Sequence, residues 1–393
     1  MCECEPSDGR GPWRAFRRTL YNAVMSERLL GQVRLFQKAC GVVPRNGGTP
    51  SNPVLHAVFS TASTLGDEAF YTVALPLCAW VLDLELCRRL ALFWASTYYV
   101  GQSAKEILRL PRPPAPVLRL EHQYSAEYGL PSTHTMGSLI PLFLLALRFN
   151  SSGLSDALSG ASAIATNSRI PAALLWPCLA WSAVIAASRL YMGVHSIPDV
   201  LAGYILGGCL FAFWLTFGGG VDAFIVENSV SWLALLFGAG AAILVYPCPE
   251  RWTNSYGDTA IIIATATGFL EGCCLLEKRG REAGDVTLQV LRGVHLLSSA
   301  RAESYGWGAL AGDARRCGVG FLVLLPMRSI LKYCCRGALS ALLARSPGWP
   351  RKEASRRHSV DIPAKLVVYG CMGFSSCVLV PKLWVSLGIQ EDR

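Results

Sequence analysis

Long apolar runs separated by short polar segments recur along most of the 393-residue chain. A helix needs about twenty residues to cross a bilayer, and several runs approach that length. Backbone groups in lipid must be satisfied within their own segment, so the runs predict helices. They lie at 68–84, 89–104, 133–148, 171–187, 200–217, 230–247, 258–276, 317–334 and 366–388. The pattern predicts an all-α, polytopic membrane helix bundle with about eight to ten transmembrane helices.

The polar segments divide the chain into three regions. Residues 1–48 are expected to form a basic, partly flexible arm with one short helix. Residues 50–217 contain the polar clusters that carry the chemistry, so we assign the catalytic membrane core to them. Residues 218–393 add further transmembrane helices and a basic loop near 336–363. A weaker apolar stretch at 52–66 is expected to form an interfacial or re-entrant helix.

Composition supports the membrane interpretation. Hydrophobic residues make up 52% of the chain and charged residues 16%, whereas a soluble domain carries roughly a quarter charged residues. The net charge of +9 does not indicate a nucleic-acid partner, because no basic stripe or reader motif accompanies it. Most of the fifteen cysteines lie in apolar runs, without the paired spacing of a zinc site.

The first candidate cluster joins two cations across a helix end. Lys105 lies at the end of a predicted span, and Arg112 follows seven residues later, just before Pro113. The planar fork of an arginine and the point charge of a lysine together suit a phosphate group. Taken alone the signal is weak, because Lys and Arg commonly mark the ends of spans.

The second cluster lies at the start of the next predicted helix. Pro131 and Ser132 are typical of a helix start, with Ser132 as the N-cap. Backbone N–H groups at a helix N-terminus attract anions, and His134 is expected in the first turn. The alternative for His134 is an interfacial histidine without a role.

The third cluster connects two apolar runs and contains Arg189, His195 and Asp199. At i and i+4 of a helix, His195 and Asp199 share one face. Asp199 can then accept from one ring nitrogen and leave the other nucleophilic. Ionisable residues within a membrane protein are energetically costly, so we expect a function for them.

Together the clusters follow the pattern K-x6-R-P, P-S-x-H and S-R-x5-H-x3-D. The chain thereby resembles the type 2 phosphatidic acid phosphatase (PAP2) superfamily, with the strong similarity covering residues 50–215. Within it, the chain is most similar to the sphingosine-1-phosphate phosphatases, through Gly101–Lys105, Glu127–His134 and Ser188–Ser196. Thr133 stands where the superfamily often has glycine, and it matches that narrower group.

The resemblance implies hydrolysis of sphingosine 1-phosphate and related long-chain base phosphates through a phosphohistidine, without metal or cofactor. It makes His195 the nucleophile, Asp199 its orienting carboxylate and His134 the proton donor to the leaving alcohol. The phosphate oxygens would be held by Lys105, Arg112, Ser132, Thr133 and Arg189. Three alternatives remain: a lipid phosphotransferase on the same scaffold, a broad-range lipid phosphate phosphatase, and a non-enzymatic lipid-binding protein. A non-enzymatic relative is disfavoured because every motif residue is present.

The resemblance also implies a multi-pass protein of the endoplasmic reticulum membrane, with the active site facing the lumen. The span count places the N-terminal arm on the same side as the active site, and the positive-inside rule would put a basic arm in the cytosol. A glycan at the sequon of Asn150 would likewise place the active site in the cytosol. The partner is a lipid phosphate, and the sequence does not predict an oligomeric state.

Overall fold

The computed structural model describes residues 12–42, 50–82, 84–121, 127–149, 172–228, 231–247, 253–283, 287–288, 291, 307–344 and 353–389. Over these ranges the chain is helical, and the described pairing between extended segments is a single bridge of Val42 with Pro50. The sequon of Asn150 lies outside the described residues.

The helices from α4 onwards correspond to the predicted apolar runs. In chain order they are α1 (Pro12–Val24), α2 (Glu27–Ala39), α3 (Pro53–Leu65), α4 (Glu68–Val81), α5 (Leu84–Leu108), α6 (Thr133–Gly137), α7 (Ile140–Phe149), α8 (Ala172–Tyr191), α9 (Ile197–Glu227), α10 (Ser231–Val245), α11 (Asn254–Ala283), α12 (Trp307–Ala344), α13 (Glu353–Cys377) and α14 (Leu379–Ser386). Every predicted run coincides with one or two of these helices, although the ends differ by up to 13 residues, at the start of α13.

Five helical segments among the described residues are long and apolar enough to cross a membrane. They are Ala172–Tyr191, Ile197–Glu227, Asn254–Arg281, Leu310–Ala344 and Ser359–Ser386. Three shorter apolar helical segments lie at Phe70–Val81, Thr133–Phe149 and Ser231–Val245. The predicted all-α membrane fold is confirmed.

The chain divides into two compact units, and several long helices contribute to both. The first unit comprises Met1–Phe70, Ser96–Thr216 and Tyr246–Tyr256. The second unit comprises Tyr71–Ala95, Phe217–Val245 and Gly257–Arg393. The three predicted clusters all lie in the first unit.

Within the first unit, α8 is the central helix and packs against α2, α3, α6 and α7. Its C-terminal end turns sharply at Gly193, where φ is +68°. A Cβ at this position would overlap the carbonyl of Leu118, so both the backbone angle and the available space require glycine. This turn allows α9 to begin at Ile197, four residues later.

The N-terminal segment contains two helices of 13 residues, where the sequence predicted a partly flexible arm with one short helix. Apolar residues at helical spacing in α1 and α2 pack on the loops of the first unit, in a cluster formed by Val24, Met25, Leu30, Val33, Leu110, Val117 and Leu130. The fully buried Gln37 donates to the carbonyls of Leu118 (2.6 Å) and Tyr191 (3.0 Å). The arm therefore lies at the end of this unit that carries the motif loops, consistent with the predicted span count.

Two segments that were not predicted to span the membrane are also helical. The weak apolar stretch at 52–66 is α3, and Asn52 caps it by accepting from the N–H groups of Val54 and Leu55, both at 3.1 Å. The predicted basic loop near 336–363 is helical at both ends, because α12 continues to Ala344 and α13 already begins at Glu353. Arg336 of α12 and Asp361 of α13 form an ion pair at 2.5 Å.

The second unit contains a buried cluster of one arginine and two carboxylates. Arg88 makes a bidentate contact with Asp222, at 2.7 and 2.9 Å, and contacts Glu277 at 3.4 Å. All three side chains are buried, so their pairing offsets the cost of removing charge from water. Helices α11 and α13 approach closely at glycines, since a Cβ on Gly272 would lie 2.8 Å from Cys377 Cβ.

Candidate active site

The three sequence clusters meet at one end of the first unit. Lys105 lies in the last turn of α5 and donates through Nζ to Thr133 Oγ1 at 3.0 Å. The N–H of Ser132 donates to the carbonyl of Asp199 at 3.0 Å, which ties the start of α6 to the first turn of α9. Ser132 is the N-cap of α6, as predicted from its position before the apolar run. These contacts bring the predicted phosphate-binding residues together with the predicted catalytic ones.

Arg112 lies beside the ring of His195. Its Nη1 donates to the carbonyl of Val194 at 2.9 Å and is 3.2 Å from His195 Nε2. Its Nη2 contacts Glu127 Oε2 at 3.2 Å. A guanidinium has only donors, so Nε2 must present its lone pair to it. The proton of the neutral ring is therefore assigned to Nδ1, on the side of Asp199.

His195 precedes α9, which begins only at Ile197, so it does not share a helix face with Asp199 as the i and i+4 spacing predicted. The two side chains nevertheless lie near each other, although they are not in tight contact. Nδ1 lies 3.6 Å from Asp199 Oδ2, which is longer than a hydrogen bond. Among the described residues, neither His195 Nδ1 nor Asp199 Oδ1 has a hydrogen-bond partner. A small rotation of either side chain would let the Nδ1 proton reach the carboxylate.

The orientation of Asp199 has a local cause. Its Oδ2 accepts from the N–H of Ser196 at 2.7 Å, and its own N–H points to Ser196 Oγ at 3.4 Å. This reciprocal arrangement is a capping box, formed with the residue that precedes Ile197, where α9 begins. The capping box holds the carboxylate beside the ring of His195.

The surroundings of His195 keep its ring neutral. The imidazole is almost completely buried. Burial, followed by the charges of Arg112, Arg189 and Lys105, lowers the pKa of His195 well below its ordinary value. A neutral imidazole at neutral pH keeps an electron pair on Nε2, which is available for attack once its contact with Arg112 is released.

His134 has a partner outside the three predicted clusters. Its Nε2 lies 2.9 Å from Asp67 Oδ1. Asp67 follows α3 and lies outside the three motifs. The preceding residue is held in place, because the Tyr98 hydroxyl donates to the carbonyl of Gly66 at 2.9 Å. A Cβ on Gly66 would lie only 2.7 Å from His134 Cδ2, so glycine lets this loop approach the ring.

Arg189 is fully buried and also has an unpredicted carboxylate partner. Its Nη2 lies 3.1 Å from Glu121 Oε2, and its Nη1 donates to Ser63 Oγ. Ser63 in turn donates to Glu121 Oε1 at 2.5 Å. The cations of this site are therefore accompanied by the acidic residues Glu121 and Glu127. Glu121 lies outside the motif stretches, whereas Glu127 begins the stretch Glu127–His134, and no spacing in the sequence indicates that either residue contacts an arginine.

The arrangement suits an oxyanion flanked by two histidines. Lys105, Arg112 and Arg189 supply positive charge, and the start of α6 supplies backbone donors. In the described part of the chain, no group of three or more His, Cys, Asp or Glu side chains is close enough to hold a metal ion.

Comparison with known proteins gives the chain a family. Residues 87–220 match the sequence profile of the PAP2 superfamily. The chain is 30% identical over 347 residues to sphingosine-1-phosphate phosphatase 1 of Mus musculus, covering 86% of this chain and 74% of that protein. It is 28% identical over 373 residues to sphingosine-1-phosphate phosphatase 2 of the same organism, covering 91% and 96%.

The chain is also similar to a plant protein, lipid phosphate phosphatase delta of Arabidopsis thaliana. The two are 33% identical over 236 residues, which cover 56% of this chain and 52% of the plant protein. No solved structure shows significant similarity. The motif residues, the membrane helices and the relatives agree, and the chain belongs to the PAP2 superfamily, in the same family as the sphingosine-1-phosphate phosphatases.

Proposed function

We propose that this chain hydrolyses sphingosine 1-phosphate and related long-chain base phosphates to the sphingoid base and inorganic phosphate. The observation that carries the proposal is the position of His195, whose Nε2 presents its lone pair beside Arg112 while Nδ1 faces Asp199. The names of the relatives support the substrate class.

In the first step, His195 Nε2 attacks phosphorus and the bond to the lipid oxygen breaks. The product is a phosphohistidine, and the leaving alkoxide takes a proton from His134. Asp199 accepts a hydrogen bond from Nδ1 and stabilises the positive charge that develops on the ring. In the second step, water attacks phosphorus, His134 removes its proton, and the P–N bond breaks to regenerate neutral His195.

Lys105, Arg112 and Arg189 would bind the non-bridging oxygens, together with Ser132 and Thr133. Phosphoryl transfer depends mainly on positioning and on stabilising charge, so preformed cations suit the reaction. Because Glu121 and Glu127 contact two of these arginines, the incoming phosphate must share or replace those contacts. The five donors of a guanidinium allow such sharing.

Asp67 would act through His134. A carboxylate 2.9 Å from one ring nitrogen holds the ring and its tautomer, which directs the other nitrogen for proton transfer. Asp67 is therefore a positioning residue in this proposal.

The apolar helices keep the enzyme in the membrane, where its lipid substrate is dissolved. We place it in the endoplasmic reticulum membrane with the site facing the lumen, in agreement with the resemblance of its motifs. Since α2 contacts the motif loops, the N-terminal helices share that side.

The test is release of inorganic phosphate from sphingosine 1-phosphate by the purified full chain, with His195→Ala measured beside it. Release by the wild type alone, without an added acceptor, supports a hydrolase with this nucleophile. Equal release by both proteins would remove His195 from the mechanism. Release only after an acceptor alcohol is added would instead identify a phosphotransferase.

A further inference from the structure

Helix α1 has two adjoining faces of different character. Residues at spacings of three and four form an apolar stripe of Trp13, Phe16, Leu20 and Val24. The neighbouring face carries Arg14, Arg17, Arg18 and Tyr21. A strongly amphipathic helix with arginines beside aromatic residues is typical of a helix that lies in the membrane interface.

The basic face borders a cavity of about 800 Å³. Among the described residues, its lining consists of Arg14, Arg17, Arg18, Arg109 and Tyr21, together with three apolar residues, and none of these is acidic. Four guanidinium groups around one cavity create a strongly positive environment. Because a guanidinium binds phosphate through two parallel hydrogen bonds, this lining suits a phosphate group.

The wall of the cavity is anchored to the protein on two sides. Arg17 Nη2 donates to the carbonyl of Arg109 at 3.3 Å, and Arg109 Nε donates to the carbonyl of Glu106 at 2.9 Å. Leu110 is buried in the same cluster as Val24 of α1. The cavity therefore lies between α1 and the segment Arg109–Pro111, which pack against each other.

Only one end of the apolar stripe of α1 is covered by the protein. Val24 is buried, whereas Trp13 and Phe16 are each 49% exposed and stack with their ring centroids 5.3 Å apart. Two exposed, stacked aromatic rings next to a cluster of arginines match the boundary between acyl chains and head groups. A lipid can satisfy both surfaces, because it carries its phosphate and its acyl chains on one molecule.

We infer that this cavity binds the phosphate group of an anionic lipid, while Trp13 and Phe16 insert among its acyl chains. The site is separate from the catalytic residues, none of which lines it. It follows that α1 holds the enzyme to an individual anionic lipid in the leaflet on the side of the active site.

Native mass spectrometry of the detergent-purified full chain, with phosphatidylglycerol or phosphatidylcholine as the probe, tests this site. The wild type is expected to retain phosphatidylglycerol in preference to phosphatidylcholine. The variant Arg14→Gln/Arg18→Gln should lose that preference, with affinity falling roughly fivefold for each arginine removed. Arg14 and Arg18 are exposed, so their replacement spares the packing of α1.

A matched control removes two charges from the same arm but away from the cavity, in Arg28→Gln/Lys38→Gln on α2. Both control positions are exposed. If this control lost the preference for phosphatidylglycerol equally, the effect would depend only on the overall charge of the arm, and the site would be rejected. Unchanged retention of phosphatidylglycerol by Arg14→Gln/Arg18→Gln would also reject the site. Displacement of the lipid by an equal concentration of inorganic phosphate would overturn the lipid assignment. The binding measurement needs no catalytic activity, so its outcome is independent of the proposed reaction.

Discussion

The carboxylate of Asp67 lies 2.9 Å from Nε2 of His134, although 67 residues separate them in the chain. Asp67 belongs to the junction between α3 and α4, outside residues 87–220 that match the family profile. The proposed proton donor therefore depends on a part of the chain that carries none of the three motifs.

Replacing Asp67 with Asn should impair departure of the lipid alcohol, because a misoriented His134 cannot protonate a poor leaving group. General acid catalysis contributes roughly 10²- to 10⁴-fold, so we expect kcat/KM for sphingosine 1-phosphate to fall at the lower end of that range. The value for 4-nitrophenyl phosphate, whose leaving group needs little protonation, should fall much less. An equal loss with both substrates would indicate a structural role only.

Replacing Asp199 with Asn should leave the fold intact and nearly abolish the reaction. The amide cannot stabilise an imidazolium, and its NH₂ group can favour the wrong tautomer of His195. By analogy with triads, a loss of roughly 10⁴-fold in kcat is expected. The readout is the formation of ³²P-labelled enzyme in a single turnover. Labelling at the wild-type rate would contradict the role of Asp199.

The pH dependence should reflect the lowered pKa of His195. Protonation removes the nucleophilic lone pair, so kcat/KM falls as pH drops through that pKa. The acid limb should therefore lie below the value of about 6.5 for an ordinary histidine. In Arg112→Gln, loss of a neighbouring positive charge raises the pKa of His195 and moves the limb to higher pH. An acid limb that stays in place in this variant would show that Arg112 does not act on His195 through charge.

Gly193→Ala should destabilise the protein, because φ is +68° and the added methyl group would overlap the carbonyl of Leu118. A residue held in this backbone region costs about 1–3 kcal/mol before the overlap is counted. The measurement is the midpoint of thermal inactivation in detergent. Gly208→Ala in α9 is the control, since its Cβ would meet nothing within 4 Å. A helical alanine there should be neutral or stabilising. Equal losses of stability in the two variants would contradict the special role of Gly193.

The sequence by itself predicted the membrane helices and the residues that we propose to be catalytic. Apolar runs need no knowledge of their neighbours, because the bilayer acts on each segment independently. His195 and Asp199 are also brought together locally, because Ser196 caps α9 and its capping box holds the carboxylate of Asp199 beside the preceding residue. The N-cap at Ser132 is equally local, and the structure places it as predicted.

Only the tertiary structure decided which carboxylates accompany the cations and histidines. Asp67, Glu121 and Glu127 reach His134, Arg189 and Arg112. Arg112 and Glu127 are 15 residues apart along the chain, whereas Asp67 and His134 are 67 apart, and none of these separations has a fixed meaning in sequence. The N-terminal helices were underestimated for the same reason. The apolar residues of α1 and α2 are stabilised by a surface that forms only when the motif loops have folded, whereas a membrane span requires only lipid.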